Sequence, residues 1–201
     1  MSLTRRTGMS RTGGRSARVV SSVLSAAVSE LTRSGYDGFR VDAVASAAGV
    51  NKTSVYRRWP TKLALVAAAL RARPVMVEAP PDEGTLRTDL ILALERACEY
   101  CASIQYRDTR GLLQTQEPEV DRLLLDLRHE FYDKQAAVVE HAINRGELPV
   151  GTDAHFMLDV VFTQVVTLTL RTRQRLPRQT LEQIVELVVR GAEHGGAQRQ
   201  V

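Results

Sequence analysis

Apolar residues recur every three or four positions along nearly the whole of this chain, and that spacing leaves little choice of architecture. Val20, Leu24, Ala27 and Leu31 set the pattern, and Leu63, Val66, Ala67 and Leu70 repeat it. So do Leu90, Leu94, Ala97, Cys101 and Ile104, and later Val120, Leu123, Leu124, Leu127, Phe131, Val138 and Ala142. One apolar stripe at this period is the mark of a helix packed on a core, whereas a half-buried strand alternates every second residue. No segment alternates convincingly, and no internal repeat is present. Glycine and proline divide the stripes. Helices are expected over 15–34, 41–48, 52–59, 62–72, 86–106, 109–117, 118–144, 153–173 and 180–191, an all-α fold of about nine helices.

Composition narrows the class further. With 201 residues, 44% hydrophobic and 25% charged, the chain can bury a core without covalent staples. Two cysteines are too few for a disulfide scaffold, which points to a reducing cytoplasm. No secretory leader and no apolar run of membrane-spanning length is evident, so no membrane partner is expected. Residues 1–73 hold 13 Lys and Arg against 3 Asp and Glu, while residues 74–201 hold 14 against 20. A basic first third on an acidic remainder suggests that the first part meets a polyanion. Four units are expected: a basic arm over 1–14 with Arg5, Arg6 and Arg11, a compact unit over 15–73, a proline-rich linker over 74–84, and a larger helical unit over 85–201.

The two short helices near residues 41–48 and 52–59 are joined by a tight turn at Gly49, which makes a helix-turn-helix. In such a unit the second helix enters the major groove. Val55 and Trp59 share the inward side. Lys52 with Tyr56, and Thr53 with Arg57, form the outward side, whose ammonium, hydroxyl, phenol and guanidinium groups suit phosphates and base edges. Residues 43–73 contain no carboxylate and no histidine, so a catalytic face is disfavoured. Asn51 and Thr61 are placed to cap the helices that follow them.

The run GYDGFRVDAVASAAGVNKTSVYRRWPTKLALV, residues 35–66, resembles the DNA-binding domain of the tetracycline-repressor (TetR) family. The resemblance implies a DNA-binding transcriptional regulator, a repressor for preference. It would bind a palindromic operator on double-stranded DNA as a homodimer and be released by a small-molecule effector. Tyr56 and Lys62 would contact phosphates, Thr53, Ser54 and Arg57 would approach bases, and Lys52 could do either. Arg40 departs from the pattern, since the family often has Thr or Ser there. Arginine cannot accept the capping hydrogen bond, a loss of about 1 kcal/mol, although its guanidinium can still reach a phosphate.

The resemblance also implies an effector pocket in the acidic half, for which Gln105, His129, Tyr132, Gln164 and Thr167 are the polar anchors considered. It favours a dimer interface built from the last two helices through Val160, Val161, Val165, Leu168, Ile184, Leu187 and Val188, although the same residues could be an ordinary internal core. Cys98 and Cys101 lie at i and i+3 on an apolar stripe without further ligands at metal spacing, so they read as core residues. No cofactor and no metal is expected. The competing readings are a regulator that needs no effector, and a helical ligand-binding protein or enzyme whose basic N-terminus is incidental.

Overall fold

The computed structural model describes residues 12–103, 115–172 and 174–194, and within them the chain is helical without a β-strand. α1 spans Thr12–Ser34, α2 Val41–Ala47, α3 Lys52–Arg58, α4 Lys62–Arg71, α5 Pro74–Val77, α6 Leu86–Ala102, α7 Pro118–Asn144, α8 Ala154–Thr172 and α9 Arg178–Glu193. The all-α expectation holds. Residues 1–11, which carry the three arginines of the expected arm, and 104–114, which carry Gln105 and most of the helix expected at 109–117, lie outside the described residues.

The elements follow from local chemistry. α1 starts at Thr12, earlier than the periodicity alone suggests, because apolar spacing cannot register a first turn made of Thr and Gly. α3 ends at Arg58, and Trp59 is extended at φ −129° and ψ 92°, as expected of a residue preceding proline. The proline-rich stretch after α4 is not wholly irregular. Pro74 opens the single turn of α5, where a missing N–H costs nothing. Asp153 Oδ1 accepts from the Phe156 N–H at 3.1 Å and so starts α8.

Two buried clusters organise the molecule. The first joins α1, α2, α3 and α4 through Val23, Ala27, Leu31, Val44, Val55, Leu65, Val66 and Leu70. The second joins α6, α7, α8 and α9 around Leu86, Leu90, Leu94, Val138, Met157, Leu158, Val161, Val165, Leu181 and Val185. α7 belongs to both. Its first turns put Val120 and Leu123 into the first cluster, and its later turns put Tyr132, Ala136, Val138, Val139 and Ala142 into the second. Arg71 of α4 grips Glu130 of α7 with Nε at 2.8 Å from Oε2 and Nη2 at 2.5 Å from Oε1. Asp37 in the loop after α1 accepts from the Thr115 hydroxyl at 2.9 Å.

Cys98 and Cys101 are both buried and unpaired, with Cys98 Sγ 3.4 Å from the Thr169 hydroxyl. Burial, with Cys98 adding to it, pushes the Cys101 thiol up to about 12. A thiol held protonated is a poor nucleophile. Because both thiols are also closed off by burial, a disulfide-exchange reagent at pH 8 is expected to label neither cysteine in the folded protein and both after denaturation. Because Cys101 releases its proton more readily when unfolded, its contribution to stability is present below about pH 9 and is lost as the pH rises toward 12.

Candidate nucleic-acid interface

α2 and α3 are each 7 residues long, and each buries one side. Val41, Val44 and Ala45 hold α2 in place, and Val55, 1% exposed, is the buried residue of α3. Trp59 packs half-buried against the same cluster. The turn between them closes through Val50 N–H donating to Ala45 O at 3.0 Å. Gly49 sits at φ +66°, which L side chains rarely adopt; a Cβ there would meet no atom, so the requirement is conformational. Asn51 Oδ1 accepts from Thr53 N–H at 2.9 Å, and Thr61 Oγ1 accepts from Ala64 N–H at 3.0 Å, so both expected caps form.

With Val55 inward, Lys52, Thr53, Ser54, Tyr56, Arg57 and Arg58 are exposed on the remainder of α3. They differ in how far each is already engaged. Lys52 pairs with Asp42 of α2 at 2.5 Å, and its Nζ stands 5.6 Å from the centre of the Tyr56 ring. The hydrogen bond to Asp42 raises the Lys52 pKa above its ordinary value. Arg58 donates to the Ser16 hydroxyl at 3.2 Å, tying the end of α3 to the first turns of α1. Arg57 makes no hydrogen bond or ion pair among the described residues. Its guanidinium stands open to a partner beside the hydroxyls of Thr53 and Ser54.

Arg40 has extended backbone and supplies no side-chain cap to α2, as its chemistry requires. Glu30 of α1 holds Arg40 by its backbone instead. It is 6% exposed, accepts the Arg40 N–H at 3.3 Å, and accepts Arg33 Nε at 3.2 Å and Nη2 at 2.6 Å. Lys62 does not stand free in solvent. Its Nζ donates to the Tyr36 carbonyl at 3.0 Å and lies 4.0 Å from the Tyr36 ring centre. An ammonium has three donors, so this leaves capacity for a phosphate while fixing the lysine's position. The clamped loop is tight. A Cβ on Gly38 would come within 2.6 Å of the Ser34 carbonyl oxygen.

In the second unit the expected residues fall into different settings. Val161 and Val165 are fully buried in the chain's own core. Ile184 and Val188 are half-buried against that same core, and Leu168 is half-buried; Leu187, 76% exposed, is left open. Phe156 and Val160 of α8, at 55% and 43% exposure, face outward; the expected seam included Val160, and sequence reasoning missed Phe156. A wide apolar stripe does not say which of its edges faces home. Among the pocket anchors, His129, Gln164 and Thr167 are exposed, and Tyr132 is buried with its hydroxyl 3.0 Å from Asp159 Oδ1. Burial is the largest influence raising the Tyr132 pKa.

A short two-helix unit with a polar outward helix, braced on the helices around it, defines a helix-turn-helix regulator. Comparison with known proteins agrees. Residues 23–69 match the profile of bacterial regulatory proteins of the tetR family, and residues 80–188 match the tetracyclin repressor-like C-terminal domain. The chain is 34% identical over 142 residues to the DNA-binding transcriptional repressor TetR of Mycobacteroides abscessus, covering 69% of this chain and 75% of that protein. Its fold is similar to that of Salmonella enterica GusR, with a TM-score of 0.68 at 16% identity over 90% of this chain and 98% of that one. It is also similar to FadR of Bacillus subtilis, solved in complex with stearoyl-CoA, with a TM-score of 0.63 at 18% identity over 85% of this chain and 98% of that one. The protein belongs to the TetR family of transcriptional regulators. It is a DNA-binding regulator and not an enzyme. No helix among the described residues is long and apolar enough to cross a membrane.

Proposed function

We propose that this regulator acts in the cytoplasm as a homodimeric repressor, each protomer placing α3 in one major groove of a palindromic operator. The observation that carries this is Arg57, exposed and without a hydrogen bond or ion pair among the described residues, beside Thr53 and Ser54 on a helix held down by Val55. Those three side chains approach base edges. Tyr56, Lys62 and Arg40 take phosphates, and Lys52 joins them by exchanging Asp42 for a phosphate. A repressor among the relatives supports the sign of regulation. A fold neighbour that holds stearoyl-CoA supports a small-molecule effector in the second unit. An effector that lowers operator affinity 5–150-fold corresponds to a coupling of about 1–3 kcal/mol, and DNA then weakens the effector by the same factor.

Selection of bound DNA from a random pool tests the reading. The expected winner is a palindrome whose half-sites present major grooves one helical turn, about 34–36 Å, apart or a related spacing. Recovery of no common sequence would end it. Lys62→Ala is expected to weaken binding to every DNA sequence alike and to flatten the salt dependence by about one ion per contact removed. Binding isotherms at several salt concentrations check this, and a changed base preference would remove Lys62 from the phosphate set. Leu187→Glu is expected to shift the protein toward monomer in sedimentation experiments, because it puts a charge on the most open apolar side chain of α9.

A further inference from the structure

Gln135 of α7 is 6% exposed, and its Oε1 has no hydrogen-bond partner among the described residues. It lines a cavity of about 20 Å³ together with Phe131, Ala93, Arg96, Glu78, Ala79 and Pro81. A buried acceptor without a donor is costly, and a space of this size admits one water-sized group. The cavity's roof is the strap that follows α4. Two cations pin that strap by its backbone: Arg96 donates to the Ala79 carbonyl at 2.9 Å and Lys134 to the Met76 carbonyl at 3.2 Å. The floor is Phe131, whose ring meets Phe162 edge-on at 5.0 Å and leads into the aromatic centre of the second unit.

We propose that this is the point at which the second unit recognises its effector, and that the effector is a small neutral ring compound bearing a hydroxyl. The hydroxyl fills the cavity and donates to Gln135 Oε1, while the ring lies on Phe131 in the place of Ala79 and Pro81. The strap lifts from its two backbone contacts to admit it. An aliphatic ring or ether lacks the donor, and a carboxylate presents acceptors to an acceptor in a lining where the Glu78 charge offsets that of Arg96, so both are rejected at this position. The strap leads through α5 from α4, which shares its buried cluster with the helix-turn-helix, so lifting it changes how the two halves meet. This inference rests on the regulator reading above and specifies its ligand.

The test uses the full chain and phenol, toluene and benzoate as probes, with binding followed by ligand-observed nuclear magnetic resonance. Phenol is expected to bind at least tenfold more tightly than toluene or benzoate. Gln135→Leu is expected to bring phenol and toluene to within about twofold of each other while the protein stays folded and keeps its operator affinity. Gln135→Glu, which retains an acceptor, should preserve the preference for phenol over toluene. Equal binding of phenol and toluene by the unaltered chain, no binding of phenol, or an unchanged preference in Gln135→Leu would each overturn the inference. Operator binding measured in parallel separates these outcomes from failure of the regulator reading, because that reading falls only if the chain selects no DNA sequence.

Discussion

Arg57→Ala lowers operator affinity by about 1–3 kcal/mol for each half-site and relaxes base preference at one position in each. Because a two-fold dimer makes the contact twice, the loss reaches about 2–6 kcal/mol, roughly 30-fold to more than 10,000-fold. The size follows from what the guanidinium is doing beforehand. Arg58 is held by Ser16 and Lys52 by Asp42, so truncating either also removes a contact within the protein. Arg57 is unengaged among the described residues, and alanine there leaves the fold intact while deleting a fork suited to a guanine edge. Competition binding against operators altered one base pair at a time reads the result. A uniform loss across all sequences would move Arg57 from bases to backbone.

Leu123→Ala is expected to destabilise the protein by about 2–5 kcal/mol, the range for truncating a buried leucine. Leu123 is 6% exposed and sits on α7, yet its neighbours belong to the helix-turn-helix cluster. The substitution therefore loosens α1 and α4, although it lies outside the DNA-binding segment of the sequence. Hydrogen exchange locates the effect: amides of α1 and α4 should lose protection at least as much as those of α8 and α9. Loss confined to α8 and α9 would show that α7 is not shared. The neighbouring Arg71–Glu130 pair is half-exposed on both sides and adds little by itself, though its two-pronged geometry fixes α4 against α7.

The helix-turn-helix was legible because its information is local. Asn51, Thr61 and Gly49 act within a turn of themselves, and Val44 and Val55 show their burial by spacing alone. The same holds for the all-α class and for α7, whose expected and observed limits coincide. What was illegible depends on partners distant in sequence. Lys62 reads as a solvent-facing cation until Tyr36, 26 residues earlier, is seen to hold it. Glu30 reads as an unremarkable acid on an amphipathic helix, although a lone carboxylate on the inner side of α1 was a signal of a partner. Val161 and Val165 look identical to Phe156 and Val160 in a periodicity argument. Only the position of α6 decides which pair is covered. Gln135 gave no sign at all, since an orphaned acceptor is a property of its surroundings.

The sharing of α7 between two cores has a consequence for how the molecule comes apart. A fragment cut before residue 115 would carry every groove-facing side chain but would lack Val120 and Leu123, leaving an apolar gap where they insert. Such a piece should melt at a lower temperature than the parent, and the parent should melt in one step instead of two. Grafting this reader onto a foreign sensing body would therefore succeed only if the first two turns of α7 travel with it.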